Sequence, residues 1–316
     1  MGLKRAATLV AVFFSAMQPA FGHLAFVTNQ KDNSVSVVDL ERNQVIKTLT
    51  VGKSPAGIAV SKEGGRLLVT SPQDAGVSMI DGKDPAVVKV FHVGDGPFGV
   101  AITRDGSRGY VADFYGHFVS VLDLDAGEIL KRVPVGHYPS GLVLTRDGAR
   151  IFVAEREDNT VSEIDGMTLT TVRTVRVGQH PFGLSLDSDE KRLFVANVES
   201  NDVSVIGLDQ FEVIKTIPVG ERPYGVAYAA PSGRLIVTNQ VDGTVSVIDA
   251  SRYEVLGVIP VGEYPEGVVV EPQKSLAWVA NWFDNTLARV DLEHLEITAS
   301  VKVGNGPRAF GQFVAP

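Results

Sequence analysis

The 316-residue chain contains no cysteine. That excludes disulfides, thiolate metal centres, C-x-x-C-H haem attachment and a cysteine nucleophile together. Bases are the minority charge, 29 against 37 acids. Nucleic acid is therefore not the expected partner, because an acidic protein repels a phosphate backbone at long range. No G-x-S-x-G elbow, Walker loop, H-E-x-x-H pair or EF-hand pattern occurs, so the common local signatures of hydrolases, NTPases, metalloproteases and calcium sensors are missing. No window of helical length repeats its apolar residues at helical spacing. Long apolar runs are confined to one place, Ala6 to Met17, behind Lys4-Arg5 and ahead of Ala20-Phe21-Gly22. This is the pattern of a secretory signal peptide over residues 1–22, cut after Gly22. The mature chain, 23–316, is then expected to be periplasmic or secreted and not inserted in a membrane.

What the chain has in abundance is a repeat. Val51-Gly-Lys-Ser-Pro-Ala-Gly57 returns as VG-x-x-P-x-G at Val93, Val135, Val177, Val219, Val261 and Val303, every step 42 residues, with Ala309 replacing the last closing glycine. A small residue keeps the same register at Thr28, Thr70, Ala112, Ala154, Ala196, Thr238 and Ala280. Each unit holds four β-branched runs divided by turn residues, for example Gly99–Thr103, Arg108–Ala112, Val119–Asp123 and Ile129–Val135. A period of this length with four strands per unit predicts propeller blades. The fold class is all-β: a seven-bladed β-propeller of four-stranded blades. Six units run from Gly57 to about Gly306, and three strands at the front, Leu24 to Val51, must close the ring with one strand at the back, Arg308 to Val314. Closure removes open sheet edges, and a monomer is expected. Within the motif, proline stiffens the entry to the crowded centre and glycine removes a side chain where inner strands converge.

Ala25-Phe-Val-Thr-Asn29, Leu235-Ile-Val-Thr-Asn239 and Ala277-Trp-Val-Ala-Asn281 resemble the YVTN β-propeller repeat, as do the segments Asp32–Asp39 and Asp242–Asp249 behind them. The resemblance covers the whole mature chain and is closest to YncE-like periplasmic propellers. It implies the fold, and for function it implies either a non-catalytic exported protein or a partner of quinoprotein and haem-dependent oxidation systems.

Chemistry is expected on the top face, where outer-to-inner crossings and second-to-third-strand loops surround the channel mouth. At one register the seven copies place Asn29, Ser71, Asp113, Glu155, Asn197, Asn239 and Asn281. Asp113 and Glu155 depart from the asparagine default in adjacent blades, and His117 and His137 fall beside them, with His180 one crossing further round. These ligand types suit a divalent metal such as zinc, iron or manganese, or an acid–base pair; the alternative is a loop surface of ordinary charges. Phe98, Tyr138, Phe182, Tyr224, Tyr264, Trp282 and Arg308 gather near the channel mouth, as an aromatic funnel for a small molecule or a protein partner, or as packing between blades. Arg66, Arg108, Arg150, Arg192 and Arg234 recur after the bottom hairpins, and alternation with Asp105, Asp147 and Asp189 suggests local salt bridges. The leading expectation is an exported, non-enzymatic binding or scaffold propeller with no fixed cofactor. The alternative is a metal-assisted lactonase or lyase, or an oxidation-system accessory.

Overall fold

The computed structural model describes residues 23–63, 65–82, 85–271 and 273–315. The expected signal peptide lies outside them. Seven antiparallel meanders succeed one another around a ring. The first blade holds Leu24–Asn29, Ser34–Asp39 and Gln44–Thr50; the second runs from Gly57–Val60 to Ala86–His92. Five four-stranded blades follow, with inner strands Pro97–Ile102, Pro139–Leu144, Pro181–Leu186, Pro223–Ala229 and Pro265–Val270.

Second and third strands are buried almost throughout, whereas outer strands such as Glu128–Pro134 expose all but one residue. The core is consequently a set of layers between blades. One such layer packs Leu68, Met79 and Phe91 of the second blade against Val100, Val111 and Leu122 of the third. Sheets covered on both faces need apolar runs rather than strict alternation, which is why Val35 to Val38 reads as it does.

The motif residues act at the crossings. A Cβ on Gly99 would come within 1.9 Å of the Ser140 carbonyl oxygen, and one on Gly141 within 2.1 Å of that of Phe182. Neighbouring inner strands approach too closely for any side chain there, so glycine follows from packing. Threonine at the small-residue register bridges blades: Thr70 accepts from the Gly57 N–H at 2.8 Å and donates to the Phe98 carbonyl at 2.7 Å.

The ring closes between the chain ends, but not by one continuous strand. Pro307 bridges Asn29 and Val314 bridges Ala25, with backbone bonds from Arg308 to Thr28 and from Phe26 to Phe313, both 2.8 Å. Between these points Phe310–Gln312 steps sideways and pairs in parallel with Gly57–Ala59 of the second blade. Ala309 and Gly311, at φ +45° and +121°, make that step; most side chains avoid such values.

The bottom arginines differ from expectation. Asp105 and Asp147 accept from their own hairpins, at Thr103, Ser107, Thr145 and Ala149. A hydroxyl and N–H groups two residues away are nearer partners than a long guanidinium. The arginines reach the next blade instead: Arg66 to Asp125, Arg108 to the Gly166 carbonyl, Arg150 to that of Leu208 and Arg192 to that of Ala250. Arg150 and Arg192 also pair with buried Glu163 and Asp187. They clamp blades together.

Candidate functional site

At the top face a funnel of about 440 Å³ opens over the channel, a size ordinary for small-molecule sites. Three registers of the repeat build nearly all of it. The residue after the second strand supplies Gln30, Pro72, Phe114, Arg156, Val198 and Gln240. The residue before the crossing proline supplies Ser54, Gly96, Arg222 and Tyr264, and the residue after it supplies Phe98, Phe182, Tyr224 and Arg308. The remaining two, Gln73 and Tyr115, lie one place beyond the first register.

The floor is an aromatic plug. Phe182 and Tyr224 lie 4.0 Å apart between ring centroids, Phe182 and Phe310 4.9 Å, and Phe98 and Phe182 5.4 Å. Phe182, Tyr224 and Phe310 are buried in one cluster, and Phe182 and Tyr224, with Phe98, line the funnel above it. Phe114, Tyr115 and Tyr264 form walls, and Tyr115 is exposed.

Beside the plug sits a charge pair that inspection of aromatics alone overlooks. Glu266, 2% exposed, accepts from Arg308 Nε at 2.6 Å and from Arg308 Nη2 at 3.2 Å. Arg308 Nη2 also donates to the Tyr224 hydroxyl at 3.1 Å, and Gln240 donates to Glu266 at 3.3 Å. Burial pushes the Glu266 carboxyl above the ordinary glutamate range, against the pull of Arg308. Burial works against the Arg308 charge, but Glu266 outweighs it and holds the guanidinium protonated. Tyr224, buried, has its hydroxyl pushed well up and is a neutral hydrogen-bonding group. Glu266 occupies the same register as Phe98, Phe182, Tyr224 and Arg308, and that shared register is the signal that finds it.

Of the other expected funnel residues, Tyr138 packs on Phe114 at 4.9 Å and stands outside the lining. Trp282 leans on Tyr264 and Phe283 and lies under the Lys31 ammonium at 4.0 Å, its indole N–H donating to Gln30.

The acid–histidine sector resolves into loop caps. Residues at the register of Asn33, Ala75, His117, Asn159, Asn201, Gly243 and Asn285 all adopt positive φ. Side-chain oxygens of Asn33, Asn159, Asn201 and Asn285 accept the N–H 21 residues further on, at 2.8 to 2.9 Å. His117 does the same with Nδ1 toward the Tyr138 N–H at 3.1 Å. His137 has both its N–H and its ring Nδ1 on Asp158, matching the bonds that Asp74, Asp242 and Asp284 make to the crossing N–H in their own blades. Asp113 accepts from Gly96 and Gly116, and Glu155 from Gly136 and Thr160. The rings of His117 and His137 do meet, with centroids 4.9 Å apart. Among the described residues no group of three or more His, Asp or Glu side chains is arranged to hold a metal ion. A second, more open groove of about 520 Å³ runs along the fourth blade beside Glu155 and Arg176; no aromatic residue lines it.

Residues 11–108 match the family model of the YncE-like β-propellers, and residues 131–214 match that of the seven-bladed lactonase β-propellers. No curated protein matches the sequence. Among solved structures, the Kuenenia stuttgartiensis hydrazine synthase is similar over 81% of this chain and 88% of its own, at 21% identity and TM-score 0.73. A functionally unknown protein from Desulfotomaculum acetoxidans DSM 771 aligns over 93% and 99%, at 14% identity and TM-score 0.80. The dihydro-heme d1 dehydrogenase NirN, in complex with DHE, aligns over 91% of this chain and 66% of its own, at 19% identity and TM-score 0.71. At these identities the likeness is one of fold. The chain is a seven-bladed β-propeller, similar to YncE-like propellers over its first blades and to lactonase propellers through its middle.

Proposed function

We propose that this chain is an exported, non-enzymatic binding propeller whose top-face funnel captures a small molecule or a protruding segment of a partner protein. The observation that carries the reading is the construction of the funnel. Residues vary from blade to blade at three registers of an otherwise uniform scaffold, and specificity usually resides in such variation. Blade flanks are buried, and Arg66, Arg108, Arg150 and Arg192 at the bottom are committed to clamping blades, which leaves the top face as the part free to specialise. Among the described residues the funnel's lining supplies arginine, glutamine, serine and tyrosine side chains, groups that hold a ligand by hydrogen bonds and charge.

The test is capture from an extract of the source cells, with bound molecules identified by mass spectrometry. Tyr115→Ala with Tyr264→Ala should abolish capture while the fold survives. Arg104→Ala, at an exposed bottom pair with Glu63, should leave it intact. Capture lost only with the bottom variant means the wrong face has been chosen. The lactonase match and the His117–His137 contact favour a second reading, a metal-assisted enzyme. Stoichiometric zinc or manganese in protein purified without added metal would favour it.

A further inference from the structure

The chain is acidic overall, yet the three charged side chains lining the funnel are all arginines, Arg156, Arg222 and Arg308. They come from three different places on the ring: the second-to-third-strand loop of the fourth blade and the crossings into the sixth and the closing blade. Their existing partners leave each of them capacity. Arg308 spends Nε and Nη2 on Glu266 and Tyr224, so Nη1 is the nitrogen those bonds do not use. Arg156 Nη2 meets an imidazole, His180 Nδ1 at 3.3 Å, rather than a carboxylate. Arg222 pairs with Glu199 at the exposed rim, where an ion pair in water is weak. Gln30, Gln73 and Gln240 add amide groups, and Phe98, Phe182 and Tyr224 offer an aromatic floor.

Guanidinium groups recognise carboxylate and phosphate through paired N–H donors, and a flat ring is the natural complement of an aromatic floor. Resting on the funnel reading above, we infer that the ligand is a small aromatic acid: a planar ring seated on the plug, with carboxylate or phosphate substituents reaching Arg156, Arg222 and Arg308. The buried Glu266 serves as a positioning residue. It offsets the Arg308 charge beside the plug and fixes the guanidinium fork with two hydrogen bonds.

The experiment is calorimetric titration of the full chain at low salt with four probes: naphthalenedicarboxylate, naphthyl phosphate, the neutral naphthalenedicarboxamide and the aliphatic dicarboxylate adipate. At least one of the two aromatic acids should bind, roughly tenfold or more tighter than both the amide and adipate, and more weakly as salt rises. Whichever acid wins identifies the acidic group. Arg156→Gln and Arg222→Gln should each weaken that acid about tenfold and leave the amide unchanged, the scale expected for one charge-assisted hydrogen bond. Unchanged thermal unfolding verifies each variant's fold. Equal binding of acid and amide overturns the inference while leaving the funnel as a binding site. So does acid binding that ignores both substitutions. If no probe binds, the inference fails; if capture from extract fails as well, the funnel reading falls with it.

Discussion

Ring closure can be tested at a single side chain. Phe313 is wholly buried and packs in the cluster that joins the first blade to its neighbours on both sides, with Phe26, Val38 and Ile58 among its members. Its main-chain oxygen accepts the Phe26 N–H, a bond that survives substitution. Phe313→Ala therefore isolates packing. Truncating a buried phenylalanine costs about 3–5 kcal/mol, and each kcal/mol moves the midpoint by about 2–4 °C in domains approaching this size. The melting temperature should fall by roughly 6–20 °C, read by circular dichroism, while Ile46→Ala on an exposed outer strand should stay within about 0.5 kcal/mol of the parent. Deleting residues 308–316 removes Phe310 and Phe313 and strips Glu266 of Arg308. An unpaired buried carboxylate adds about 3–5 kcal/mol. Together these approach the about 5–15 kcal/mol that holds a typical domain folded, so no cooperative transition should remain. A Phe313→Ala midpoint within about 2 °C of the parent would refute the argument that closure depends on this cluster.

Two further substitutions probe how the blades are tied. Burial raises the Glu163 carboxyl, but bonds from Arg150 and Arg173 outweigh it and leave it below its ordinary range. Its stabilising effect is therefore complete above about pH 4.3, the unfolded value, and is lost as pH falls through the lower folded value. Glu163→Gln should cost about 2–3 kcal/mol at neutral pH, and the gap to the parent should shrink in urea titrations run below pH 4 or so; a pH-independent gap would mean that the charge is not what matters. His117, at φ +59°, stands where other blades use asparagine. His117→Asn should stay within about 0.5 kcal/mol of the parent and His117→Ala should lose about 1–2 kcal/mol, from the hydrogen bond and the left-handed backbone together; equal losses would show that the imidazole itself is required.

The fold was legible because a 42-residue period constrains everything at once. A strand, a Val-Gly pair and a crossing proline that recur seven times leave one architecture in which each copy can bury its flanks. The closing glycine of six crossings is legible as a packing requirement, since the carbonyl of the neighbouring strand occupies the space a Cβ would take. The closing blade was legible in outline. Its sidestep at Phe310–Gln312 was not, because it follows from a backbone turn at Ala309 that substitution for glycine marks without describing.

The site was legible only in part, and the reason is instructive. Reading by residue type picked out acids and histidines, and Asp113, His117, His137 and Glu155 met that criterion, yet Asp113, His117 and Glu155 each accept a loop N–H and His137 is bonded to Asp158. A side chain's chemistry does not say whether its lone pairs are already spent; the register does. Position His117 against Asn159 and Asn201, and its role as a cap is visible in the sequence, because an imidazole nitrogen at that left-handed turn can accept the N–H that the asparagine oxygen accepts elsewhere. The same operation at the register of Phe98 and Arg308 yields Glu266, and at the register of Phe114 it yields Arg156 and Gln240. In a ring of near-identical blades, what a residue faces is fixed by its place in the repeat, and what it can do there is fixed by how it differs from its six counterparts. Function is therefore to be sought where a register faces the mouth and its occupants disagree, as at the three arginines set among the funnel's aromatics.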